Sequence, residues 1–195
     1  MINVEIGNKK YKLKNSFNEI TIKEYKKCVE IDKREDILLK YAEIIECLSD
    51  IPIDILRDID IKQLYSLYKQ LDYSKKTIKT EPKQQIKIDD TYYVLDKLDE
   101  DTNLGIYIDL DSLLRNEEDN KLEKLCSILY REIENGEIKP YDTKSAKHRE
   151  ELFLNHMTVN DVLGAQFFFM MSAIKLQKDT PDFSKKVLNL MKENV

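Results

Sequence analysis

The chain opens with a two-residue alternation. Val4 and Ile6 fall on one face, Gly7-Asn8 can turn, and Tyr11 and Leu13 resume the pattern, which predicts a β-hairpin. The period then lengthens. Thr21 followed by Glu24 has the spacing of a capping box, and Ile22, Tyr25, Cys28, Val29 and Ile31 share much of one helical face. After a charged break from Asp32 to Asp36, Leu38, Tyr41, Ala42, Ile45 and Leu48 recur at three- and four-residue steps. That spacing predicts an amphipathic helix from about Asp36 to Leu48. Ser49-Asp50-Ile51-Pro52 closes it and opens a short segment through Leu56, since proline fits a first helical turn. Asp60, with Gln63 three residues on, caps a further predicted helix, Ile61 to Leu71.

From Ser74 to Gln85 the chain is lysine-rich and contains Pro82, the composition of a linker. Beyond it the apolar pattern restarts. Ile86, Ile88, Tyr93 and Leu95 stand 82 positions after Val4, Ile6, Tyr11 and Leu13, with Asp89-Asp90 in the place of Gly7-Asn8. At the same offset Leu104, Tyr107, Leu110 and Leu113 fall on Ile22, Tyr25, Cys28 and Ile31. A two-residue shift brings Leu122, Leu125, Cys126, Ile128 and Leu129 onto Leu38, Tyr41, Ala42, Ile44 and Ile45. Thr158-Val159 with Val162-Leu163 resembles Asp60-Ile61 with Leu64-Tyr65. These correspondences predict an internal duplication. The expected fold class is α+β and predominantly helical, as two related modules of a hairpin followed by amphipathic helices. Residues 1–73 form the first module, 74–85 the linker and 86–195 the second, with an extra surface loop near 135–149 around Gly136 and Pro140.

At 195 residues and 42% hydrophobic content the chain can bury a core in one domain or two small ones. The net charge of −5 argues against a surface built for nucleic acid phosphates. The basic clusters Lys9-Lys10, Lys23 with Lys26-Lys27, and Lys75-Lys76 with Lys79 and Lys83 are interspersed with acids, so they are expected to be solvated surface and linker. Neither G-x-G-x-x-G nor G-x-x-x-x-G-K-S/T occurs, which removes the common phosphate cradles. The N-terminal Met1-Ile2-Asn3-Val4-Glu5 lacks a basic segment followed by an apolar one, so no signal peptide is expected and the cytoplasm is the expected location. The longest apolar run, Val162 to Ile174, is too short for a membrane span.

Candidate chemistry is sparse. His148 and His156 stand eight apart, outside the spacing that puts two imidazoles on one turn. No local signature pairs Cys126 with either histidine. Cys28, Cys47 and Cys126 are an odd number at wide spacing, expected as buried reduced thiols. The acidic pairs Asp58/Asp60, Asp89/Asp90 and Asp109/Asp111 fit caps and turns as well as metal or acid–base work. No catalytic residue, cofactor or metal is expected. The most informative run is Val162-Leu163-Gly164-Ala165-Gln166-Phe167-Phe168-Phe169-Met170-Met171-Ser172-Ala173-Ile174. A helix apolar nearly all round is either enclosed by its own domain or covered by a partner. Phe167, Phe168, Phe169, Met170 and Met171 are the candidate partner-binding residues, because phenylalanine supplies area and methionine adapts its shape.

The hairpin Val4-Glu5-Ile6-Gly7-Asn8-Lys9-Lys10-Tyr11-Lys12-Leu13, the following Glu19-Ile20-Thr21-Ile22-Lys23-Glu24-Tyr25 and the segment Met157-Thr158-Val159-Asn160-Asp161-Val162-Leu163-Gly164 with its Phe-rich continuation resemble, in layout, accessory proteins of tailed bacteriophages of the tail assembly chaperone type. That resemblance implies a non-enzymatic helical protein in the host cytoplasm that binds a tape-measure or other structural protein before assembly. It carries no individual functional residue with it. Structural virion component, bacterial regulatory adaptor and enzyme without a known motif are the alternative expectations.

Overall fold

The computed structural model of the protein describes residues 1–71, 81–99, 101–116 and 120–175. It is α+β and mostly helical, and the chain divides into two compact units, Met1–Ile78 and Lys79–Val195.

In the first unit β1 (Ile2–Ile6) and β2 (Lys9–Leu13) pair antiparallel, with Val4 opposite Tyr11. Gly7 takes φ +60° in the two-residue turn, where a side chain would be strained. Among the described residues four helices follow: α1 (Ile22–Asp32), α2 (Ile37–Cys47), α3 (Ile53–Asp58) and α4 (Ile61–Lys69). The caps predicted at Thr21 and Asp60 are in place, and Asp36 caps α2 as well. Thr21 and Glu24 form the reciprocal box, Asp36 accepts from Leu39 N at 3.0 Å, and Asp60 accepts from Gln63 N at 2.8 Å. Each satisfies a backbone N–H that the helix leaves unpaired. The core gathers Leu13, Ile20, Ile22, Ile45, Leu48 and Ile51, all fully buried. Val29 is 42% exposed, so the apolar face of α1 is narrower than the sequence predicts. After α2 the chain returns to the hairpin, where Lys14 N donates to Leu48 O at 2.8 Å and Leu13 bridges Ser49.

The second unit repeats this opening and then departs from it. Its hairpin, β3 (Gln85–Ile88) and β4 (Thr91–Leu95), places Ile86 opposite Tyr93, the register of Val4 and Tyr11 carried 82 positions on. Asp89 takes φ +52° where Gly7 does. Helices α5 (Leu104–Arg115) and α6 (Lys121–Leu129) pack on each other as α1 and α2 do. The return to the hairpin recurs as well: Asp96 N donates to Leu129 O at 2.9 Å and Leu95 pairs with Tyr130. Leu104 departs from the pattern: it is 71% exposed while its counterpart Ile22 is buried, and the adjacent Ile106 turns inward instead.

The expected loop at 135–149 is a correction. The bridge that ends the first unit's repeat grows here into β5 (Tyr130–Glu134), followed by β6 (Glu137–Ile138), giving one antiparallel sheet in the order β3-β4-β5-β6. Asn135 and Gly136 make the turn with φ +53° and +86°. Both left-handed positions are met because asparagine and glycine tolerate that region. Asp142 then caps α7 (Thr143–His156), which covers α6, and α8 (Val159–Lys175) follows. Phe153 of α7 is fully buried with Tyr93 and Tyr130 edge-on to its ring at 5.1 and 6.4 Å.

The expected linker also changes. Residues 74–80 of it, with Lys75-Lys76 and Lys79, lie outside the described residues, as do 176–195 of the second module. Residues 81–85 are packed into the second unit. Gln84 O accepts from Leu95 N at 2.9 Å and Lys83 O accepts from Tyr130 OH at 2.7 Å. These backbone hydrogen bonds tie the stretch to the second unit, so proline and lysine composition alone did not make it a spacer.

Candidate partner-binding face

Helix α8 begins where Thr158 and Asp161 cap each other. Asp161 N donates to Thr158 Oγ1 at 3.3 Å, and Asp161 Oδ2 accepts from Thr158 Oγ1 at 2.8 Å. The other carboxylate oxygen of Asp161 faces Lys83 Nζ at 2.6 Å. One turn on, Gly164 lies under the backbone of Glu81 and Pro82, where an added Cβ would come within 3.0 Å of both.

From this start two apolar stripes run along the helix. Val162, Ala165, Phe169 and Ala173 are buried and face the unit's own core, with α6 packed alongside. Leu163, Phe167, Met170 and Ile174 follow the same three- and four-residue steps on a different side. Leu163, Phe167 and Met170 are half-buried, and Met171 and Ile174 are 40% and 41% exposed.

Of the five residues predicted to bind a partner, Phe169 is thus part of the core. Phe167, Phe168 and Met170 are half-buried and Met171 is exposed. The sequence reading passed over Leu163 and Ile174, which complete the outer stripe; the helical spacing through Phe167 and Met170 was the signal for them.

The remaining candidates have structural work. Asp60 is a cap and Asp89 a turn residue. Asp109 accepts from Tyr141 OH at 2.5 Å and Thr143 Oγ1 at 2.8 Å, and Asp111 pairs with Arg115. Cys126 is fully buried and burial pushes its thiol up, whereas His148 and His156 are exposed on α7. Cys28 and Cys47, on the packed helices α1 and α2, share a hydrogen bond. It holds the proton on buried Cys28 and lowers the half-buried Cys47. Arg149 is a buried guanidinium on α7. Its Nη2 donates to Ser127 O at 2.9 Å, and burial lowers its pKa. Among the described residues no three His, Cys, Asp or Glu side chains cluster as metal ligands, and no helix is long and apolar enough to cross a membrane.

Comparison with protein families, curated proteins and solved structures finds no match to this chain.

Proposed function

We propose that this chain is a non-enzymatic assembly factor that binds another protein, of the tail assembly chaperone kind found in tailed bacteriophages, acting in the host cytoplasm. The observation that carries the reading is the outer stripe of α8. A helix already committed to its own core presents a second row of leucine, phenylalanine, methionine and isoleucine at helical spacing. Removing such side chains from water contributes about 25 cal/mol per Å², and methionine accommodates more than one partner shape. The occupant in this reading is an apolar segment of a structural protein, such as a tape-measure protein, held until assembly.

A photo-crosslinking amino acid at Met171 tests this in infected cells. The expected product before lysis is a covalent adduct with a structural protein, while mature particles contain no copy of the chain. Recovery of the chain from purified particles would replace the chaperone with a virion component. A cross-link to a host regulatory protein would favour an adaptor.

A further inference from the structure

We propose that the groove between the outer edge of β1 and helix α4 receives an extended segment of a partner polypeptide, which adds to β1 as a further strand. The inference rests on the assembly-factor reading, which supplies the partner, and it assigns that partner a second point of attachment.

Among the described residues β1 pairs with β2 alone. In a hairpin with a two-residue turn, Ile6 and Lys9 exchange hydrogen bonds, and so do Val4 and Tyr11. Asn3 and Glu5 therefore turn their N–H and C=O groups to the outer edge. The opposite strand confirms the phase. Lys12, facing Asn3, directs its N–H outward to Asp50 Oδ1 at 2.7 Å and accepts Asp50 N at 3.3 Å. Among the described residues the outer edge of β2 is thus occupied by the chain after α2, and the outer edge of β1 is left as a template.

Beside that edge lies a groove of about 280 Å3. Its floor includes the buried Val4 and Leu67, and α4 contributes Gln63, Ser66 and Gln70 at helical spacing. Amide and hydroxyl side chains both donate and accept, as a peptide backbone requires. Glu5 is the one ionisable residue lining the groove, so charge complementarity selects a segment carrying lysine or arginine.

The second unit shows the corresponding helix face filled. Counting from the caps Asp60 and Thr158, Gln63 and Ser66 correspond to Asp161 and Gly164. There Asp161 pairs with Lys83, and Gly164 lies against the backbone of Glu81 and Pro82. A non-helical run of chain with a lysine covers that face. The segment inferred for the first unit likewise runs non-helically and carries a basic residue, there set against Glu5, and main-chain pairing to β1 supplies its affinity.

The test uses the full chain and a displayed library of random twelve-residue peptides. The most enriched peptide is synthesised and its binding measured by fluorescence anisotropy. The expected peptide is basic and rich in β-branched or aromatic residues, and it slows amide exchange at Asn3 and Glu5. Asn3→Pro removes an outward N–H without touching the β1–β2 ladder, and Ser66→Arg fills the groove. Each is expected to weaken the peptide at least tenfold. If Asn3→Pro fails to fold, Ser66→Arg decides alone.

Failure to enrich any peptide, or a selected peptide that binds both variants as tightly as the parent, overturns the proposal. So does self-association of the chain that Asn3→Pro abolishes, because the occupant is then a second copy. If the peptide fails while Met171 still cross-links a structural protein, the groove inference falls and the assembly reading stands. If the peptide binds as expected and Met171 cross-links nothing, the groove stands without that reading.

Discussion

Phe169 and Phe167 are two positions apart, yet a truncation at each has a different consequence. Phe169 is 6% exposed in the core of the second unit. Phe169→Ala is expected to cost about 3–5 kcal/mol, a large part of the roughly 5–15 kcal/mol that holds a domain together. Phe167 sits on the outer stripe and Met171 is exposed beside it, and truncating either to alanine is expected to cost about 1 kcal/mol or less. Urea melts of the three variants check the ordering, and a larger loss at Phe167 would make the stripe part of the core. Tyr130 offers a pH test. Burial, then nearby Cys126 and Asp161, pushes its hydroxyl above the usual tyrosine range. The folded chain therefore holds this proton more tightly than the unfolded chain. The associated stability is complete below about pH 10 and is lost above it, by about 1.4 kcal/mol per pH unit. Between about pH 9 and about pH 11 the Tyr130→Phe variant is expected to lose less stability than the parent. At this scale the apolar run predicted the helix but not which of its large residues turns inward. Five consecutive large side chains carry no phase of their own, and Val162, Ala165 and Ala173, whose small volumes let α8 approach its neighbours, set it.

Helices whose first turn is written in polar residues were legible as elements. Thr21 with Glu24, Asp36 and Asp60 each name the backbone N–H they satisfy, and the helices begin where those residues stand. Thr21→Ala is expected to destabilise the first unit by about 0.5–2 kcal/mol, read as a lower midpoint in thermal unfolding. The β5–β6 hairpin and α7 were not legible, for two physical reasons. The strands flank their turn with Glu134 and Glu137, so no apolar alternation marks them, and the Asn135-Gly136 pair was the remaining signal. Helix α7 buries Ala146, Arg149 and Phe153 along one side. A guanidinium in the middle of that side interrupts the apolar period by which a helix is recognised. Gly136→Val tests the turn. A branched side chain at φ +86° is expected to cost about 1–2 kcal/mol, seen as a lower urea midpoint.

At the scale of the molecule, the restart of the apolar pattern corresponds to a shared opening: two strands in equal register, two packed helices, and a return of the chain to the second strand. The units then diverge, one through the short α3 and the other through β5, β6 and α7. The return segment was invisible in the sequence because it is a single bridge in one unit and a full strand in the other; pairing across a sheet leaves no fixed spacing along the chain. The first unit has its own buried core, so the fragment Met1–Ile78 is expected to fold alone, with a cooperative melt and a helical circular dichroism spectrum. A fragment that stays unfolded at all temperatures would mean that its core requires the rest of the chain.

The tie at Lys83 has a consequence for proteolysis. Trypsin must draw a lysine side chain into its specificity pocket and stretch the backbone on both sides. Here the ammonium is held by Asp161 and the carbonyl by the hydroxyl of Tyr130. The bond after Lys83 is therefore expected to survive brief digestion, although it lies in a stretch whose composition resembles a cleavable tether. It should become a cut site in Tyr130→Phe or Asp161→Asn, so the mass of the digestion product reports whether the second unit has closed over its own first residues.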